Sequence, residues 1–106
     1  MRIYIALPIS GWDIETVEAI CNHAEAVIEE KGHTAVSPIA LPHRDPEDYN
    51  AVIGTDITAL LCCDAVLFLD GWEDSRGCRL EYAAAVVYGK RCFYDAADIP
   101  DQAEPA

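Results

Sequence analysis

Four short apolar runs punctuate the chain, and helical periods lie between them. The runs are Arg2–Leu7 (RIYIAL), Thr34–Ser37 (TAVS), Ala65–Leu69 (AVLFL) and Arg91–Tyr94 (RCFY). Three are nearly continuous in apolar residues, the pattern of strands buried on both faces. After the first run, Ile14, Val17, Cys21, Ala24, Val27 and Ile28 recur at helix spacing. Asp13 can cap this helix and Gly32 can end it. A second helix is predicted from Asp45-Pro46, an N-cap followed by proline at the first helical position, to about Cys62. A third is predicted from near Ser75 to Tyr88, with Gly89 as its stop.

Strands and helices alternate, which implies a parallel sheet with right-handed crossovers. The expected fold class is α/β: a Rossmann-like or flavodoxin-like three-layer sandwich around a four-stranded parallel sheet of order 2-1-3-4. One domain is expected over residues 1–95, followed by an acidic tail over 96–106 that frays or docks on a partner. In such sheets ligands bind past the carboxyl ends of the strands, where the order reverses. That point falls between the first and third strands, so the loops Pro8–Trp12 and Asp70–Gly77 should face each other. They hold Ser10, Gly11, Asp70, Gly71, Trp72, Asp74, Ser75, Arg76 and Gly77.

Composition narrows the function classes. At 106 residues and 52% hydrophobic content, the chain suits one compact domain with its own core. Its formal net charge is -12, with 19 acidic residues against 7 Lys plus Arg. That balance argues against a nucleic-acid polymer as partner and against adhesion to anionic membranes. The first apolar run is too short, and too soon interrupted by Pro8, for a signal peptide or membrane span. The five cysteines include no C-x-x-C pair, and reduced thiols in a cytoplasm are the expectation.

Two acids stand alone on apolar helix faces. At ~100° per residue, the neighbours of Glu81 on its face are Gly77, Cys78, Ala84, Ala85 and Tyr88. Asp56 shares its face with Tyr49, Val52, Ile53, Ala59, Leu60 and Cys63. An unpaired buried carboxylate costs several kcal/mol unless it is hydrogen-bonded or neutralised. Each acid can simply satisfy a buried loop amide. Both together, on the helices flanking the predicted crevice, resemble the acid pair that supplies a nucleophile and a proton donor at a glycosidic bond.

Other candidates carry a plain reading beside a functional one. Ser75 is an N-cap, or the hydroxyl of an anion site at a helix start. Tyr4 is a core residue whose hydroxyl then needs a partner. Trp72 is a packing lid or a stacking surface for a base. His23, His33 and His43 show no metal spacing and read as surface or loop residues.

At this point the residues are familiar. The opening IYIALPISG and the stretch SRGCRLEYAAAVVYGKRCF resemble the nucleoside 2-deoxyribosyltransferases and the related nucleotide N-glycosidases. Within that superfamily the chain is similar to a group of bacterial and phage domains with the pattern GW-x-x-S-x-G-x-x-x-E. The pattern is carried here by Gly71-Trp72, Ser75, Gly77 and Glu81. The resemblance covers roughly residues 2–95. It implies Glu81 as nucleophile, Asp56 as the acid on the preceding helix and Tyr4 as the strand tyrosine beside the glutamate. It also implies Ser75 at the place of a 5′-phosphate. Arg79 and Ala83 depart from the enzymes, which usually have glycines there.

The first expectation is therefore an enzyme that cleaves or transfers the N-glycosidic bond of a (deoxy)nucleoside or its 5′-monophosphate, without metal or organic cofactor. Glu81, Asp56 and Tyr4 would be catalytic. Ser10, Gly11, Asp70, Trp72, Ser75, Arg76 and Gly77 would hold a small-molecule nucleoside or nucleotide. The second is a non-catalytic nucleotide-binding or sensor module using the same pocket, which the bulk and charge of Arg79 favour. A homodimer or larger homo-oligomer is expected, because Ile53, Leu60, Val86 and Tyr88 cannot all face so small a sheet.

Overall fold

The computed structural model describes residues 1–8 and 13–102. Four strands, β1 (Arg2–Ala6), β2 (Thr34–Val36), β3 (Ala65–Phe68) and β4 (Arg91–Phe93), form one sheet. The order is β2-β1-β3-β4 and every pairing is parallel, with Tyr4 opposite Val36 on one side and Val66 on the other. Three helices connect them: α1 (Ile14–Glu30), α2 (Tyr49–Leu61) and α3 (Arg76–Val87). The fold is the expected α/β sandwich. Among the described residues, no helix is long and apolar enough to cross a membrane.

Strand alternation sorts the core into two layers. Ile3, Ile5, Leu67 and Phe93 point to the α1 side and pack on Val17, Cys21, Ala24 and Ile28. Tyr4, Ala6, Val66 and Phe68 point to the other side, toward Leu60 of α2, Cys63 just after it, and Cys78 and Ala85 of α3. The central strands are buried on both faces, which is why they read as unbroken apolar runs.

The helix ends follow local chemistry. Asp13 caps α1 by accepting from Thr16 N at 3.3 Å, and Ser75 caps α3 by accepting from Cys78 N at 3.2 Å. Gly89, with φ of 69°, ends α3 and hands the chain to Lys90. Lys90 Nζ then donates to Leu61 O at 3.0 Å, a cation at the carboxyl end of α2.

Two expectations about this framework need correction. The second helix begins at Tyr49 with Asp48 as cap, not at Asp45-Pro46. Asp45 instead closes a separate turn: its carboxylate accepts from Glu47 N at 3.2 Å and its carbonyl from Asp48 N at 3.1 Å. Asp48 then takes the amides of Asn50 and Ala51.

The segment after β4, expected to fray or await a partner, packs on the body as far as Gln102. Ile99 is 2% exposed and joins the α1-side core. Lys31 Nζ donates to Ile99 O at 2.7 Å, to Ala96 O at 2.8 Å and to Ala97 O at 3.3 Å. His33 Nε2 lies 2.6 Å from Pro100 O, and Gln102 N donates to Lys31 O at 2.8 Å. A single helix covers only part of this sheet face, so an apolar side chain from the tail gains by filling the rest.

Candidate active site

The carboxyl ends of β1 and β3 open into a cleft of about 560 Å³. Its wall is made by Pro8, Gly71, Asp74, Ser75, Arg76 and Gly77 from the two predicted loops, and by Tyr49 from α2. Gly71 shapes this wall: its φ is 89°, and a Cβ there would lie 3.3 Å from Pro8 Cγ. Only glycine meets both demands at low cost.

Two buried acids lie near this wall without lining the cleft. Glu81 follows Gly77 by one helical turn on the same face of α3 and is 5% exposed; Asp56 on α2 is 7% exposed. Their helices pack together on the same side of the sheet, over Tyr4, which is fully buried. Burial pushes the Glu81 carboxyl up to about 7; the Tyr4 hydroxyl as a nearby donor holds it down, and the charge of Asp56 raises it again. The Cys78 thiol acts in the same direction as Tyr4. Tyr4 itself is driven upward by burial and then by the Glu81 and Asp56 charges, so it stays a neutral donor. The Tyr4 hydroxyl is near Glu81 without a well-formed bond: Tyr4 Oη has no hydrogen-bond partner among the described residues.

Asp56 is not alone, although its own helix gives it no partner. His43 Nε2 lies 2.9 Å from Asp56 Oδ1, with side-chain exposures of 17% and 9%. Burial raises the Asp56 carboxyl, and the hydrogen bond and charge of His43 lower it. His43 sits in a loop, as expected, but half-buried and against an acid. His33 also lies in a loop, and is buried beneath the C-terminal segment rather than at the surface.

The remaining candidates divide. Ser75, Arg76 and Gly77 line the cleft. Asp70 lines a second cleft of about 530 Å³ on the α1 side, with Leu7, Tyr94 and Asp95. Trp72 packs into an aromatic cluster, with ring centroids 5.0 Å from both Phe68 and Tyr82 and 5.9 Å from Tyr94. Those contacts favour its packing role. Ser10 and Gly11 lie outside the described residues. The residues missed from sequence are His43 and Tyr49.

A family profile described as "Domain of unknown function (DUF4406)" matches residues 1–94. A search of curated proteins found no match. Among solved structures, a 2-deoxyribosyltransferase from Bacillus psychrosaccharolyticus is similar at 25% identity and a TM-score of 0.65, over 87% of this chain and 69% of that one. A 2-deoxyribosyltransferase from Leishmania mexicana is similar at 21% identity and a TM-score of 0.66, over 86% of this chain and 61% of that one. The CMP N-glycosidase of Clostridium botulinum is similar at 19% identity and a TM-score of 0.59, over 87% of this chain and 66% of that one. The chain thus spans less than two thirds of the length of the second and third structures.

Proposed function

The chain belongs to the DUF4406 family, on the fold of the nucleoside deoxyribosyltransferases, and from that premise we propose that it cleaves or transfers the N-glycosidic bond of a (deoxy)nucleoside or its 5′-monophosphate. The observation that carries the proposal is the burial of Glu81 and Asp56 on neighbouring helices over Tyr4, with Glu81 one helical turn from Gly77 of the cleft wall. Two buried acids that influence each other have no use in a plain core, where apolar residues would pack at lower cost.

In this reading a Glu81 oxygen attacks C1′. The C1′–O bond forms as the N-glycosidic bond breaks, and the electron pair leaves with the base. Asp56, whose carboxyl burial raises, passes a proton to the departing base, and His43 orients Asp56 through its hydrogen bond. Water or a second base then attacks C1′ and releases Glu81, giving hydrolysis or transfer. Tyr4 steadies the ionised Glu81, and Ser75 with the first amides of α3 holds the 5′ end.

The binding-module alternative keeps the same pocket without turnover. Glu81→Gln separates the two, because an amide hydrogen-bonds a sugar hydroxyl but is a poor nucleophile. The variant should lose base release while its nucleotide affinity stays within about tenfold. Equal release by wild type and variant would sink the mechanism. Binding by both with release by neither would establish the module instead.

The surroundings fit a cytoplasmic homo-oligomer. All five cysteines are unpaired, as in a reducing compartment. Leu60 is buried in the α2 side of the core and Ile53 is half-buried, whereas Leu80, Val86, Val87 and Tyr88 of the α3 region are 51–76% exposed, an apolar surface suited to a second copy.

A further inference from the structure

We propose that Cys78 is a positioning residue for Glu81, its thiol donating to the carboxylate from one turn back along α3. The inference rests on the reading of Glu81 as the nucleophile, and it adds a second donor to the one that Tyr4 supplies.

Three residues separate Cys78 from Glu81, which makes them neighbours on the surface of α3. Both are buried, at 1% and 5% exposure, and Cys78 belongs to the same core layer as Tyr4. The thiol proton has few places to go. The Cys63 thiol donates to Ala59 O at 3.3 Å and the Cys92 thiol to Lys90 O at 3.6 Å. Cys63 uses the carbonyl four residues back, inside α2. For Cys78 that carbonyl belongs to Asp74, in the 3-10 turn before α3 and outside the helix. Among the described residues the Cys78 thiol has no backbone acceptor. Ser75 Oγ already accepts from Cys78 N at 3.2 Å, which ties the cysteine backbone to the cap. The Glu81 carboxylate is the charged acceptor that remains, and a charged acceptor draws a donor more strongly than a neutral one.

Glu81 is short of donors. Tyr4 faces it from β1 and Asp56 from α2, with His43 engaged on Asp56, and β3 carries no titratable side chain. Glu73 and Asp74 of the 3-10 turn are exposed, as are Arg76, Arg79 and Tyr88 of α3 and Arg91 of β4. Tyr82 stacks against Trp72 and Phe68, and Cys92 turns to Lys90 O. Among the described residues no cation acts on Glu81. A buried carboxylate with one hydroxyl nearby and no cation gains from each further donor. The thiol is itself pushed up to about 11, chiefly by burial, so it keeps its proton across the working range.

The test titrates the Glu81 carboxyl by carbon NMR of protein labelled at glutamate Cδ, with the Glu81→Gln spectrum identifying the resonance. It compares wild type, Cys78→Ala, Cys78→Val and Cys78→Ser. A thiol is a weak donor, so its loss in the alanine and valine variants should raise the Glu81 pKa by about half a unit. Valine fills the volume that alanine vacates, so one variant reports where the other fails to fold. Serine keeps a donor and should return the value to that of wild type or below it. A pKa within about 0.2 unit of wild type in the alanine and valine variants, or a serine variant shifted upward like them, would overturn the inference. In an active enzyme the acid limb of kcat/KM should move with the resonance. A limb that stays in place while the resonance shifts, or a wild type that releases no base, counts against the glycosyl reading alone, and the titration still decides the role of Cys78.

Discussion

The Nε2 atom of His43 lies 2.9 Å from Oδ1 of Asp56, on a side chain that reaches in from the loop before α2. Asp56 has no other hydrogen-bond partner among the described residues. If Asp56 supplies the leaving base with a proton, Asp56→Asn should lower the rate of base release by about 10²–10⁴. His43→Ala should lower it less and should alter the pH profile, since His43 acts through Asp56. A His43→Ala enzyme with wild-type rate and profile would remove the histidine from the mechanism.

Ionisation of Glu81 sets the pH dependence of activity. Its carboxyl is pushed up to about 7 by burial, and the nucleophile must be ionised. kcat/KM should therefore rise with pH up to about 7 and then level. A profile already flat from pH 5 upward would contradict a buried, high-pKa nucleophile.

The same group affects stability. From the ordinary value of 4.5 to about 7 the folded protein holds a proton that the unfolded chain has lost, so stability falls as pH rises through that window. Below the window the contribution of Glu81 is fully present. The loss across it is on the order of 3 kcal/mol. Glu81→Gln should match wild type near pH 4 and become the more stable protein by pH 8. Urea melts at both pH values check the sign.

Both strands and acids were legible from pattern because regular elements carry periodic signals. Asp56 and Glu81 stood out as polar residues in apolar helical stripes, and both are buried. His43 was not legible because it lies between a 3-10 turn at Pro38–Ala40 and α2, where no period constrains it. The available signal was indirect: a buried acid without a partner on its own helix requires a donor from elsewhere. Tyr49 was hidden in the apolar stripe of Asp56, where a helix's first residue can still turn outward. The start of α2 misled because Asp45-Pro46 and Asp48 are both good caps, and the first became a turn.

Self-association is the next expectation. Leu80 and Val87 are 51% and 76% exposed on α3, one face of which is otherwise buried. Sedimentation at micromolar concentration should give a dimer or larger, and Val87→Glu should give the monomer. A monomeric wild type would refute it.

Lys31 anchors the C-terminal segment through three carbonyls. Lys31→Met should cost about 2 kcal/mol, as charged hydrogen bonds do, and Ile99→Ala about 2–4 kcal/mol for a cavity under α1. Both should speed hydrogen exchange at Asp98 and Ile99, whose amides close the last 3-10 turn. Unchanged exchange in both variants would show that the clasp is not holding the segment.

Ile99 also fixes an order of events during synthesis. The chain emerges amino end first, so β1, α1 and β3 leave the ribosome while Ile99 and the carbonyls that Lys31 needs are still inside it. The α2 side of the sheet can close on residues already made, but the α1 side cannot. Its apolar surface stays open until residues 95–102 are free, which makes it the later of the two layers to be covered and the one most in need of shielding on the nascent chain.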